Sequence, residues 1–155
     1  MPVTSADLSA TETLIAIESI KQLKARYFRT LDTKDWAGLR ALFAGGARIG
    51  PLDSGLPPSD VRVSDVRSTD EWLARVQVTL AGVTSVHHGH MPEIELVSGS
   101  EARGVWAMED LLLFPSGSVP AALHGFGHYH ETYVRDADGW RIATMRLTRI
   151  RVDLT

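Results

Sequence analysis

The chain predicts an α+β fold in which N-terminal helices pack on one face of a strongly curved, mainly antiparallel sheet. Two observations carry this. Apolar residues recur at helical spacing through roughly the first half of the chain, and from about residue 84 the period changes to two. The order, helices first and then a run of long strands joined by short turns, is that of segregated α+β architecture. Long curved strands with helices across them can enclose a conical pocket. With 155 residues and no linker or internal repeat, one domain over residues 1–155 is expected, residues 1–8 forming a loose polar arm.

Ser9 with Glu12 is a capping-box pattern and opens a helix over residues 9–31. Its apolar stripe is Ile17, Ile20, Leu23, Tyr27 and Leu31, with Lys24 taken as outward. A short second helix over 34–43 has Trp36, Leu39, Leu42 and Phe43 as its stripe and Gly45-Gly46 as its stop. Residues 47–50 read as a strand, 51–58 as a loop and 61–63 as a returning strand. Ser68 and Glu71 form a second capping box, opening a helix over 69–80 that Gly82 ends. Four strands follow over 84–97, 102–114, 123–135 and 140–152. The turns between them are Ser98-Gly99-Ser100, Pro115-Ser116-Gly117-Ser118 and Asp136-Ala137-Asp138-Gly139.

Composition narrows the function. The net charge is −3 without a basic stripe, which speaks against nucleic acid. There is no cysteine, so disulfides, thiol catalysis and thiolate metal sites are excluded. The N-terminus lacks a secretory pattern and no window is apolar enough to span a membrane, so a cytoplasmic protein is expected. The glycines follow neither a dinucleotide-binding nor a phosphate-loop pattern.

Two stretches hold the candidate chemistry. In Leu31-Asp32-Thr33-Lys34-Asp35-Trp36, Asp32 falls at a helix C-terminus, on the wrong side of the helix dipole. On spacing alone it reads best as the N-cap of the second helix. In Ser85-Val86-His87-His88-Gly89-His90, strand alternation sends His87 one way and His88 with His90 the other. His124, Phe126, His128 and His130 share a face opposite Tyr129, Glu131 and Tyr133. A metal site could use His88/His90 and His128/His130 with Glu131, but metal-free acid–base work by one interior histidine beside a carboxylate is favoured. One of Glu109 and Asp110 faces inward. Arg149 suits a cross-strand ion pair, and Tyr27 either sends its hydroxyl into the pocket or is core. The other sheet face carries Trp106 or Met108 with Leu111 or Leu113, which predicts a homo-oligomer, dimer or trimer.

The junction at Leu31–Trp36, the segments Ile17–Arg29, His87, Gly89-His90 and Pro92-Glu93-Ile94, then Gly104, Trp106, Glu109-Asp110, Arg149-Ile150 and the closing Asp138-Gly139-Trp140-Arg141-Ile142 resemble one known family. They are similar to the SnoaL-like branch of the nuclear-transport-factor-like superfamily, most of all to its bile acid 7α-dehydratase members, and to scytalone dehydratase. The resemblance implies a cone-shaped α+β barrel and cofactor-independent dehydratase or lyase chemistry on a hydrophobic, ring-containing carbonyl compound, steroid- or polyketide-like. It implies His87 as general base, Asp32 orienting it, Tyr27 bonding a substrate oxygen and Asp110 as second acid/base. Arg149, His124 and Trp106 would contact substrate. No cofactor and no metal are implied. An isomerase or cyclase with the same pair, or a non-catalytic binding module, are the alternatives.

Overall fold

The computed structural model describes residues 8–52 and 66–155. The elements run α1 (Ala10–Asp32), α2 (Trp36–Arg40), β1 (Phe43–Leu52), β2 (Arg67–Ser68), α3 (Thr69–Thr79), β3 (Thr84–Leu96), β4 (Glu101–Leu113), β5 (Ala122–Asp136) and β6 (Gly139–Leu154). The strands form one sheet in the order β2-β1-β6-β5-β4-β3. Every neighbouring pair is antiparallel except β1 with β6. Among the described residues β2 and β3 are free edges, so the sheet curves without closing. The expected arm and the strand expected at 61–63 lie outside the described residues. No helix described is long and apolar enough to cross a membrane.

Both capping boxes form. Glu12 N donates to Ser9 Oγ and Ser9 N donates to Glu12 Oε2, and Ser68 with Glu71 repeats the arrangement. Each exchange satisfies two backbone donors that a helix start leaves open. The second helix is shorter than its stripe suggested. Asp35, not Asp32, is its N-cap, accepting from Gly38 N at 2.9 Å, and Phe43 already belongs to β1. The Gly45-Gly46 pair expected to stop a helix instead lies within β1, where the register against β6 slips between Phe43 and Arg48. Gly46 has φ +99, which a side chain would resist. Glycine pairs punctuate strands at bulges as readily as they end helices.

Inward residues of β4, β5 and β6 meet α1 and α3 in a single core that includes Ile20, Leu23, Trp72, Trp106, Met108, Tyr129, Ile142 and Met145. One inward position corrects the sequence reading. Lys24, taken as outward, has no exposed surface, and its Nζ donates to Glu131 Oε1 at 2.5 Å. Glu131 Oε2 accepts from the Tyr133 hydroxyl, which accepts in turn from Trp106 Nε1 at 2.8 Å. The ammonium also sits 3.9 Å from the Tyr27 ring centre and 3.7 Å from that of Tyr129. Burial lowers the Lys24 pKa while Glu131 holds it up. The helical period had placed position 24 on the buried stripe with 20, 23, 27 and 31. Its charge argued otherwise, and the partner that makes burial tolerable is 107 residues away in sequence.

A buried ion pair loses most when one partner is removed, because the other is left unpaired. Lys24→Met is expected to destabilise the fold by about 3–5 kcal/mol in urea unfolding, with Lys24→Met/Glu131→Gln recovering part of that loss.

Candidate active site

The site is assembled where the end of α1 meets β3. Asp32 closes the helix, and its carboxylate takes three donors from one strand. His87 N donates to Oδ2 at 2.7 Å, Ser85 Oγ donates to Oδ1 at 2.9 Å, and the His87 ring meets Oδ1 through Nδ1 at 2.6 Å. Ser85 and His87 can do this together because they are two apart on β3 and share its inward face. The cap reading of Asp32 fails for a simple reason: its oxygens face the sheet, and Asp35 does the capping.

A carboxylate accepts only, so Nδ1 carries a ring proton, and whenever the imidazole is neutral its lone pair lies at Nε2. Burial works against charge on Asp32. The hydrogen bonds from the His87 ring and backbone, the charge on His87 and the Ser85 hydroxyl outweigh it, leaving Asp32 below the usual carboxylate range. The His87 side chain is 8% exposed and that of Asp32 21%.

Asp110 stands directly across the ladder from His87, with Oδ2 3.9 Å from His87 Nε2. It is the inward member of the Glu109-Asp110 pair; Glu109 faces out. Arg149 donates to both Asp110 oxygens at 2.7 Å, in the bidentate geometry that guanidinium and carboxylate share. This pair crosses from β6 to β4 over β5, and Gly125 leaves room for it. A methyl group at position 125 would collide with Arg149 Nη1 and Asp110 Oδ1. A bulge makes the geometry possible. Phe126 is opposite Arg151 and Gly127 opposite Arg149, so Ile150 is extra and Arg149 turns inward while Arg151 faces out.

Tyr27 is 2% exposed, its ring packed against Phe28, Phe43, Trp72 and Tyr129. Burial first, then Tyr129, Glu131 and Asp32, pushes its hydroxyl well above its ordinary pKa, so it stays a neutral donor. Tyr129 is raised as well, by burial and then by Asp110. Trp106 faces inward but lies in the core with Nε1 committed to Tyr133. His124 is not part of this group. It lies on the outer face, its ring tilted against Phe126 and 3.4 Å from Glu109, with the thickness of the sheet between it and His87.

His88 and His130 are on the outer face as well, whereas Glu131 is buried against Lys24, so the metal grouping weighed from spacing does not assemble. Among the described residues no three His, Asp or Glu side chains are placed to share a metal ion. The outer face also carries a groove of about 660 Å³ lined by Glu93, Glu95, Arg103, His130, Thr144 and Arg146. It contains none of Asp32, His87, Asp110 or Arg149, and the chemical groups point the other way.

Sequence reasoning missed Ser85, Lys34 and Gly125. Ser85 was within reach of it, since period-two alternation puts it beside His87. Lys34 gave no periodic signal, because its placement depends on one left-handed backbone turn.

Helices packed on one face of a strongly curved sheet define a class of small α+β proteins, and residues 12–146 match the SnoaL-like domain model. The chain belongs to the SnoaL-like domain family. It is 25% identical over 138 residues to the probable cyclase FGR4 of Gibberella zeae, covering 84% of this chain and 89% of that protein. Its fold is similar to that of a candidate scytalone dehydratase from Novosphingobium aromaticivorans, with a TM-score of 0.79 at 16% identity, covering 94% of this chain and 91% of that one. It is also similar to the LinA-type3 hexachlorocyclohexane dehydrochlorinase of Novosphingobium barchaimii, with a TM-score of 0.77 at 14% identity over 95% and 94% of the two chains.

The lowered pKa of Asp32 fixes the sign of a pH effect. Its stabilising contribution is full above the unfolded aspartate value of about 3.9 and is lost as pH falls through the folded value. The gap in urea midpoint between wild type and Asp32→Asn should therefore narrow as pH falls below that unfolded value. A gap that goes on widening there would contradict this assignment of charge.

Proposed function

We propose that this protein is a cofactor-independent lyase, a dehydratase acting on a hydrophobic, ring-containing carbonyl compound of steroid or polyketide type. The observation that carries the reading is the His87 ring, held through Nδ1 by Asp32 with Nε2 turned toward Asp110. In the reaction His87 Nε2 takes a proton from the carbon next to the carbonyl. The electron pair of that C–H bond forms the new C=C bond as the C–O bond to the leaving hydroxyl breaks. Tyr27 donates a hydrogen bond to the carbonyl oxygen while charge builds up there. The proton on Nε2, beside Asp110, is passed to the departing hydroxyl, which leaves as water. Asp32 stabilises the imidazolium formed in between. Arg149 keeps Asp110 oriented and forms a wall of the site.

Similarity to a probable cyclase favours a second reading, in which the same pair moves protons with no leaving group. Incubation with ring-containing β-hydroxy ketones and enones, followed by mass spectrometry for loss of water, separates the two. His87→Asn and Asp32→Asn should each lower kcat by on the order of 10²-fold or more on the substrate so found. Near-full turnover by both variants would falsify the assignment. Ligand binding without turnover, unchanged in His87→Ala, would instead mark a binding module.

The outer sheet face supports self-association. Leu111 and Leu113 lie on it, with Val86 and Thr84 opposite them on β3, and all three apolar side chains are more than a third exposed. A second or third copy covering this patch is expected, and light scattering should give a mass above that of the 17.0 kDa chain.

A further inference from the structure

Among the described residues Lys34 is the one non-glycine position with a left-handed backbone, φ 60. Such a conformation is unfavourable for an ordinary side chain, and glycine or asparagine suits it better. The turn itself asks only for the shape. Lys34 N donates to Leu31 O and Asp35 N donates to Thr30 O, closing α1. What lysine adds is its ammonium, which donates to Ser85 Oγ at 2.6 Å. An ammonium cannot accept, so Ser85 must aim its own O–H at Asp32 Oδ1, 2.9 Å away. The direction of the chain from Lys34 through Ser85 to Asp32 is thereby fixed.

The charges around His87 show what this arrangement does. Asp32 reaches the ring from α1 at Nδ1, and Asp110 faces Nε2 from β4. Two carboxylates beside one imidazole favour its protonated form, in which it cannot act as a base. Each acid has its own cation. Arg149, from β6, holds Asp110 directly, and Lys34 holds Asp32 through Ser85. Tyr27 and Tyr129, from α1 and β5, are neutral.

We infer that Lys34 and Ser85 are positioning residues for the Asp32–His87 pair: they lock the carboxylate as an acceptor and offset its charge, so that His87 Nε2 is unprotonated when substrate arrives. The inference rests on the reading of His87 as the base. The ammonium of Lys34 is partly desolvated, which lowers its pKa against the pull of Asp32, and it remains the charged member of the chain.

The test is NMR titration of the His87 ring in the full chain, with the resonance identified by its loss in His87→Asn. Lys34→Gly removes the cation and relieves the left-handed strain. The variant should fold at least as stably as wild type, yet its His87 midpoint should rise by roughly half a unit or more at low salt. Lys34→Arg should keep the midpoint near wild type, and Ser85→Ala should raise it. A Lys34→Gly midpoint equal to that of wild type, or a Lys34→Arg shift as large as that of Lys34→Gly, overturns the inference. The titration needs no substrate. Should His87→Asn keep its turnover while Lys34→Gly still shifts the ring, the base assignment fails and the electrostatic coupling stands.

Discussion

The carboxylate of Asp32 fastens the end of the first helix to the edge of the sheet, and much of the molecule depends on that join. Among the described residues β3 is an outermost strand, hydrogen-bonded to β4 on one side only. The amide of His87 points away from β4 and would be an open donor, but Asp32 Oδ2 accepts it. An edge strand left bare invites pairing with another chain, and covering it with a helix terminus removes part of that hazard. The same carboxylate fixes the imidazole. Its position at a helix C-terminus is electrostatically unfavourable, an effect of order 0.3–1 kcal/mol. Two neutral donors and the Nδ1–H of His87 offset it, and the Lys34 ammonium adds charge of the sign that a helix C-terminus favours.

The second acid is held by different means. Asp110 and Arg149 belong to strands that are not neighbours, and β5 runs between them. An ordinary side chain at position 125 would occupy the space where they meet, so a glycine there is a requirement of the ion pair rather than of the strand. The bulge at Ile150 completes the geometry by changing the parity of β6. Without the extra residue, Arg149 and Arg151 would face the same side. Two local departures from a regular sheet thus bring a guanidinium beside a carboxylate that faces His87.

Much of this was legible in the sequence. Helix starts were readable because Ser9/Glu12 and Ser68/Glu71 are local patterns with local causes. The division of β5 into two faces was readable because a strand alternates strictly where no bulge intervenes, and Tyr129, Glu131 and Tyr133 share one of them; which face turns inward was not readable. The meeting of Asp32 with His87 came from resemblance, since nothing in the spacing of residues 55 apart says they touch. Where reading failed, the cause was a distant partner or an irregular backbone. Lys24 looked solvent-facing because Glu131 was invisible as its partner. Asp32 looked like a cap because Asp35 competes for the same role. Gly45-Gly46 looked like a helix stop because glycine marks a bulge and a helix end with the same letters. His124 was placed near the site by a loose alignment, because strand parity set it opposite Tyr129 without saying which of the two faces turns inward.

The two buried ion pairs differ in what they leave available. In Lys24–Glu131 both carboxylate oxygens have partners, the ammonium is enclosed by aromatic rings and neither side chain has exposed surface. Nothing from solvent can exchange a proton with such a pair without opening the core, which argues for an architectural role. Its effect on the site is indirect. A cation against the faces of Tyr27 and Tyr129 is attracted to both rings, so it orders two tyrosines whose hydroxyls burial keeps neutral. Asp110–Arg149, by contrast, lies 3.9 Å from the His87 ring and takes part in the charge balance around it. One pair makes the inner wall rigid, and the other sets the field that the imidazole feels.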